Sequence, residues 1–243
     1  MSVEISAEAK AELLQQLNSC SGSQSNIPQS VVQHAIEIVR SEMECSLLAS
    51  LTEKPARTLR ALDSLFRDAG AVVGLAGEKL VAAADWLPSD QDPNRFDAMI
   101  AELRTVVWLS GEGFSEIRLI GSRGKKGADA TARRGVVAFA VEVTCVTGFK
   151  YPGHLRRGQE LAQFFVDRYA EKRPQLEATA AGHDCQSRVL VCVFVEHGQK
   201  AMVTRKEYLE QGLAPAWCQL GSSLDTHLAV IAHPDDNCVF PPW

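Results

Sequence analysis

The sequence lacks the features of a membrane or exported protein. No apolar run is long enough to cross a bilayer. The N-terminal stretch MSVEISAEAKAELLQQL contains no basic patch followed by an apolar segment, so it predicts no secretory leader. We therefore expect a soluble cytoplasmic protein that has no membrane partner.

The cysteine and aromatic residues also form no motif for metal binding or base stacking. The seven cysteines are scattered and contain no CxxC pair, which argues against a cysteine-rich zinc site and favours reduced thiols. Aromatic residues make up 7% of the chain and show no stacking-platform pattern for bases. Hydrophobic residues reach 46%, which is typical of a globular protein with a substantial core.

Charge is unevenly distributed along the chain. The net charge of −5 does not by itself suggest a nucleic-acid-binding protein. Residues 115–173, however, contain 12 Lys/Arg and 6 Asp/Glu, a local charge of +6 that leaves −11 for the remainder. A basic segment in an acidic protein indicates either an anionic partner at that place or simply a solvated basic surface.

The first third of the chain has helical periodicity. Residues 6–18 predict an amphipathic helix, and apolar spacing predicts a second helix from Pro28 to about Leu51. Residues 55–86 predict two shorter helices, because three glycines interrupt the pattern. Residues 87–94 predict a linker. We therefore divide the chain into a helical region, 1–90, suited to dimerisation or partner contacts, and an α/β core, 91–243.

The core begins with a predicted helix from Pro93 to Ser110, after which the period changes to that of strands. We predict strands at 114–120, 128–133, 136–146, 188–197 and 227–233. A helix is predicted over Leu155–Lys172, and another between the last two strands. The segment 136–146 is apolar on both faces, which is typical of a central strand. The fold class is α/β, a mixed sheet flanked by helices.

One carboxylate stands out in that central strand. Glu142 alternates with Ala138, Ala140 and Thr144 on one face, and an unpaired buried carboxylate is strongly disfavoured. If the strands at 128–133 and 136–146 form a hairpin around Arg134-Gly135, Asp129 lies beside Glu142. Two such carboxylates are suited to Mg²⁺, and the Val143 carbonyl is a candidate third ligand.

Together these residues resemble the restriction-endonuclease-like nucleases, known by the motif PD-(D/E)xK. Ala128-Asp129 resembles the first half of the motif, and Glu142-Val143-Thr144 resembles the second half except at its last position. Glu102, on the preceding helix, resembles the first-helix acid of many members. The resemblance covers residues 93–173, and it implies a restriction-endonuclease-like core.

The resemblance implies a metal-dependent nuclease that hydrolyses phosphodiester bonds. Asp129 and Glu142 would hold Mg²⁺ or Mn²⁺, with Glu102 assisting. Thr144 stands where the family has a lysine that stabilises the attacking hydroxide and the developing phosphorane charge. Lys150 is the favoured replacement, and the loop lysines Lys125 and Lys126 are alternatives. The alternative function is a catalytically inactive nuclease-fold module that binds protein or nucleic acid.

Partners follow from the same interpretation. We expect a nucleic acid, DNA in preference to RNA, and a homodimer formed through the N-terminal helices. Six basic residues are predicted to contact phosphates: Arg123, Lys125, Lys126, Arg133, Arg156 and Arg157. A purely structural alternative remains for the acidic residues, in which Glu142 pairs with Arg118 or Arg133, Asp129 is a turn residue and Glu102 is solvated.

Overall fold

A computed structural model describes residues 5–20, 25–43, 45–90, 92–121, 127–147, 158–195, 206–232 and 237–243. In these described residues, five helices precede the predicted linker. They are α1 (Ala7–Ser19), α2 (Gln29–Ser41), α3 (Ser46–Glu53), α4 (Pro55–Val73) and α5 (Glu78–Ala83).

The boundaries of these helices follow local chemistry. Ser6 begins α1 by accepting a hydrogen bond from the Ala9 amide. The single helix predicted from Pro28 to Leu51 is wrong, because Glu42 adopts a left-handed conformation (φ 53°) that ends α2 before α3 begins. The prediction of two helices within 55–86 is confirmed, and Gly74 ends the first of them with φ 71°.

The second half of the described chain forms a six-stranded sheet in sequential order. Neighbouring strands are antiparallel except for β3–β4 and β4–β5, which are parallel. The strands are β1 (Ser115–Leu119), β2 (Ala130–Arg134), β3 (Val137–Thr147), β4 (Ser187–Val195), β5 (Thr226–Ile231) and β6 (Asn237–Phe240).

Three helices accompany the sheet. Helix α6 (Pro93–Gly111) precedes β1, whereas α7 (Gly158–Gly182) and α8 (Lys206–Gln219) make the crossovers between the parallel strands. The predicted α/β fold, a mixed sheet with flanking helices, is thereby confirmed. Helix α7 extends ten residues beyond its predicted end at Lys172, and β6 was not predicted.

The two faces of the sheet bury different helices. The N-terminal face, as we call it, packs the side chains of Phe139 and Val141 against α1–α6 in one apolar cluster. The α7 face packs Ala140 against residues of α7 and α8 in a second cluster. Because helices from residues 1–90 share the first cluster with the sheet, they help to bury it. The proposed division at residue 90 stays a prediction.

No helix in the described part of the chain is long and apolar enough to cross a membrane.

Candidate active site

The β2–β3 hairpin brings the predicted acidic pair together. Its register runs from Arg134 opposite Val137 to Ala130 opposite Val141, and one further step places Asp129 beside Glu142. The Val143 amide donates a hydrogen bond of 2.7 Å to Asp129 Oδ2. The predicted hairpin is therefore confirmed, although its turn is Gly135-Val136 and not Arg134-Gly135.

Glu142 faces α7 and is held by a lysine from that helix. Lys172 Nζ donates a hydrogen bond of 2.7 Å to Glu142 Oε1, and the Glu142 side chain is only 3% exposed. The alternative pairing of Glu142 with Arg118 or Arg133 is wrong. The register places Arg133 opposite Ala138, towards the turn, where its Nε lies 3.4 Å from Glu116 Oε1.

Two polar atoms on the α7 face of β3 are buried without a hydrogen-bond partner in the described part of the chain. They are Glu142 Oε2 and Thr144 Oγ1, on alternate residues of one strand. Since buried polar atoms in proteins are almost always satisfied, this place is suited to a water molecule or an ion. Thr144 thus lies beside the acidic pair but offers no charge.

A metal would find few protein ligands here. Among the described residues, no three His, Cys, Asp or Glu side chains are grouped so that they could hold a metal ion. The available donors are Asp129, the free oxygen of Glu142 and the Val143 carbonyl. Two carboxylates with several retained waters are a common arrangement for Mg²⁺, so the residues present fit that ion.

Glu102 completes the acidic group from α6. Burial raises the pKa of its carboxyl well above the usual value, and the nearby charges of Asp129, Asp85 and Glu142 raise it further. The expectation that Glu102 faces the sheet therefore agrees with its place among these carboxylates. We call Glu102, Asp129, Glu142 and Lys172 the carboxylate–lysine site.

Charge repulsion and burial dominate the electrostatics of this site. Burial raises the pKa of Asp129 to about 6, while the Val143 amide and Lys172 oppose the shift. Burial and then the Asp129 charge raise the pKa of Glu142 to about 8. Burial lowers the pKa of Lys172, but Glu142 and Asp129 outweigh it and leave that pKa raised. The carboxylates consequently resist ionisation, and a bound cation would relieve them.

The sequence prediction missed Lys172 and Asp85. A signal for Lys172 was present, because it falls in the apolar stripe of α7 that buries Leu161, Phe165 and Leu176. Because lysine is almost never buried unless its charge is paired, a lysine within a core stripe indicates a buried partner. Asp85 follows α5 in a left-handed conformation, φ 53°, and no pattern in the sequence marks it.

Of the basic residues predicted for the site, the structure describes only Arg133. Arg133 lies four residues along β2 from Asp129, about 13 Å at the usual strand rise, so the structure does not place it at the carboxylate–lysine site. The other predicted basic residues lie outside the described residues; they are Arg123, Lys125, Lys126, Lys150, Arg156 and Arg157.

A cleft of about 210 Å³ opens beside Glu102. One wall comes from the end of α5, with Ala84 and Asp85, and the other from the first half of α6. The lining residues of α6 are Asn94, Arg95, Ala98, Met99 and Glu102. Of the four residues of the carboxylate–lysine site, Glu102 is the one that lines this cleft.

No protein-family model, curated protein or solved structure matches this chain. Its relation to restriction-endonuclease-like nucleases consequently depends on its own residues, their geometry and the order of its helices and strands.

Proposed function

We propose that this protein is a metal-dependent nuclease with a restriction-endonuclease-like core, in which Lys172 replaces the missing motif lysine. The observation that carries the proposal is the 2.7 Å hydrogen bond from Lys172 Nζ to Glu142 Oε1. Lys172 belongs to α7, whereas Glu142 belongs to β3. The hydrogen bond therefore places a positive charge next to Glu142, which in the motif is the carboxylate two residues before the lysine.

The order of elements supports this proposal. The chain runs α6, β1, β2, β3, α7, β4, and Glu102 lies on α6, Asp129 immediately before β2 and Glu142 within β3. The resemblance implies the same succession of a helix, three strands and a second helix. Fold order alone does not assign a function, so the contribution of the site residues is decisive.

Lys172 has the charge that the proposed chemistry needs. Its raised pKa keeps it protonated at neutral pH, whereas Thr144 is neutral. A fixed cation next to the reacting phosphate stabilises negative charge that develops in the transition state. Lys172 donates one hydrogen bond to Glu142, and an ammonium group has three donors, so further donors are available to a phosphate oxygen.

Asp129 and Glu142 are the proposed ligands of Mg²⁺ or Mn²⁺, with the Val143 carbonyl as a third oxygen. Such an ion, when bound, polarises a phosphate and lowers the pKa of a water molecule. The Val143 amide fixes Asp129 in place, and Lys172 fixes one oxygen of Glu142 so that the other faces the site. Glu102 is a third carboxyl group next to them, and it would assist in retaining the cation once the ion favours loss of its proton.

Plasmid cleavage with Mg²⁺ or Mn²⁺ tests the proposal. We expect Glu142→Gln and Lys172→Met each to reduce the cleavage rate by about 10²-fold or more, because each removes a charge at the reacting centre. Lys79→Met, on the exposed surface of α5, is the matched control and should leave cleavage unchanged. Cleavage that survives Glu142→Gln would contradict the assignment.

A lysine relocation tests the role of Lys172 more directly. The double variant Lys172→Met with Thr144→Lys returns a lysine to the motif position on the same strand face as Glu142. We expect it to recover part of the activity that Lys172→Met loses. A folded double variant with no recovered activity would indicate that Lys172 only stabilises Glu142 and that another lysine, such as Lys150, acts on the substrate.

One observation favours the second candidate, a catalytically inactive module that binds nucleic acid or protein. The Lys172–Glu142 pair satisfies one carboxylate oxygen without any ligand, and Thr144 leaves the motif incomplete. DNA binding without cleavage in either metal would support this candidate against the nuclease.

Dimerisation through residues 1–90 and a cytoplasmic location complete the proposal. The helices of this region bury apolar residues against the sheet, and their outer faces are the surfaces available to a second copy. Light scattering on the purified protein tests the dimer: a single species of 26.5 kDa would contradict it.

A further inference from the structure

The cleft beside Glu102 follows one face of α6. Arg95, Ala98 and Glu102 are spaced i, i+3 and i+7, so they lie on the same side of the helix. Seven residues of helix span about 10 Å. We call this cleft the α6 groove; it runs from Glu102 at one end to Arg95 at the other, over the small side chain of Ala98.

The two ends of the α6 groove differ in burial and charge. Glu102 lies at the inner end, half-buried beside Asp129 and Glu142. Arg95 is exposed at the outer end, and its side chain has no hydrogen bond or ion pair with any residue that the structure describes. Among the residues that line the groove, Arg95 is the one cation.

We infer that the α6 groove binds the sugar–phosphate of a nucleotide next to the scissile bond, with Arg95 on its phosphate. This inference rests on the proposed function, because the carboxylate–lysine site supplies the position of the scissile bond. A guanidinium forms two parallel hydrogen bonds to a phosphate, and Arg95 lies in the first turn of α6, where the helix dipole also favours an anion.

The acidic residues determine which way the nucleotide lies. Asp85 and Glu102 disfavour a phosphate in the inner part of the groove but not an uncharged sugar, and in RNA the 2′-hydroxyl of that sugar can donate a hydrogen bond to them. A phosphate is therefore placed at Arg95 and the sugar towards Glu102. A volume of about 210 Å³ is below that of a typical small-molecule pocket, roughly 300–1,000 Å³, and suits one such unit.

Oligonucleotide binding tests the inference independently of cleavage. Fluorescence anisotropy in EDTA, with short single-stranded DNA and RNA of one sequence, measures affinity across a range of salt concentrations. We expect Arg95→Gln to weaken binding about 5- to 10-fold and to reduce the salt slope by about 0.7, the value for one phosphate on a single strand. Arg60→Gln, on the exposed side of α4, is the matched control and should change neither.

A second variant tests the shape of the groove without changing its charge. Ala98→Leu fills the floor between Arg95 and Glu102, and leucine is nearly as good a helix former as alanine. We expect the same loss of affinity as for Arg95→Gln, with the thermal midpoint unchanged. The polymer that shows the larger loss, DNA or RNA, is the one that the groove binds.

The outcomes separate this inference from the proposed function. Wild-type affinity and salt slope in both Arg95→Gln and Ala98→Leu would overturn the inference, even if cleavage depends on Glu142. Absence of oligonucleotide binding by the wild-type protein would also overturn it. If oligonucleotide binding depends on Arg95 but the protein cleaves no nucleic acid, the proposed hydrolysis would be wrong, whereas the α6 groove would still be a nucleotide-binding site.

Discussion

The two faces of β3 have opposite chemistry although they belong to one strand. The N-terminal face is large and apolar, with Val137, Phe139, Val141, Val143 and Cys145. The α7 face has the small side chains of Ala138 and Ala140, then the polar ones of Glu142 and Thr144, and then the buried Val146. The small residues leave room for α7 to approach, and Lys172 occupies the space above Glu142.

The residues on the N-terminal face stabilise the folded protein, whereas the polar residues on the α7 face reduce its stability. On the N-terminal face, the alternate β3 side chains from Val137 to Cys145 pack against other apolar groups. On the α7 face, two polar atoms lack partners, and the pKa values of Asp129 and Glu142 are raised by burial. Such arrangements reduce stability, and they are concentrated at functional sites.

The largest effect is expected on the N-terminal face. Phe139 contacts the rings of Phe114, Trp243 and His227, at centroid distances of 5.0, 5.8 and 5.6 Å. Phe139→Ala should reduce the free energy of unfolding by about 3–5 kcal/mol, measured by urea denaturation, because it leaves a cavity in the core. A loss of less than about 1 kcal/mol would mean that this face is not the main apolar core.

The next effect is the pH dependence of stability, which originates at the carboxylate–lysine site. The folded pKa values of Asp129 and Glu142, about 6 and about 8, exceed the ordinary values of 3.8 and 4.5. The folded state thus binds more protons than the unfolded state between about pH 4 and pH 8, and stability falls as the pH rises through this window. Because each pKa unit corresponds to about 1.4 kcal/mol, the expected fall is several kcal/mol in EDTA, measured by urea denaturation; stability that rises from pH 5 to pH 8 would contradict it.

Addition of a divalent cation should reverse this fall. At pH 8, Mg²⁺ or Mn²⁺ at 100 times its dissociation constant should stabilise the protein by about 2.7 kcal/mol, because it binds only the folded state. The measurement is the thermal midpoint with and without the ion, with Glu142→Gln as the control that should not respond. An equal response of the wild type and the control would place the ion elsewhere.

A smaller gain is expected from neutralising Glu102. Its carboxyl is buried next to Asp129, Asp85 and Glu142, and its pKa is raised. Glu102→Gln should therefore stabilise the protein by about 1 kcal/mol at pH 8 and by less at pH 5, because the folded state disfavours the charged carboxyl and the amide removes that charge. Glu37→Gln, on the exposed side of α2, is the matched control. An equal gain at both pH values would contradict the electrostatic cause.

The sequence predicted the strands well because their signals are local. The alternation in β3 identified the face that Glu142 occupies, and the short turn near Gly135 identified the hairpin that brings Asp129 to it. The partner of Glu142 was not predictable in the same way. It depends on how α7 docks against the sheet, which pairs residues 30 positions apart; the place of Lys172 in the apolar stripe of α7 indicates a buried partner but does not identify that partner as Glu142.

Other errors have similar physical causes. The end of α2 was missed because Glu42, not glycine, adopts the left-handed conformation there. Strand β6 was missed because its four residues are too few for alternation to be visible, and pairing with β5 defines it. Asp85 was missed because its place beside Glu102 depends on how α5 packs near α6.

The smallest effect is expected at Thr144, on the α7 face. Its hydroxyl is buried and has no hydrogen-bond partner among the described residues. Thr144→Val keeps the shape and removes the unsatisfied oxygen, so it should leave stability unchanged or raise it by up to about 1 kcal/mol, measured by urea denaturation in EDTA. A loss of more than about 1 kcal/mol would show that the hydroxyl has a partner in solution, such as a bound water molecule. More of the polar atoms on the α7 face would then have hydrogen-bond partners, and the two faces of β3 would differ less than the structure indicates.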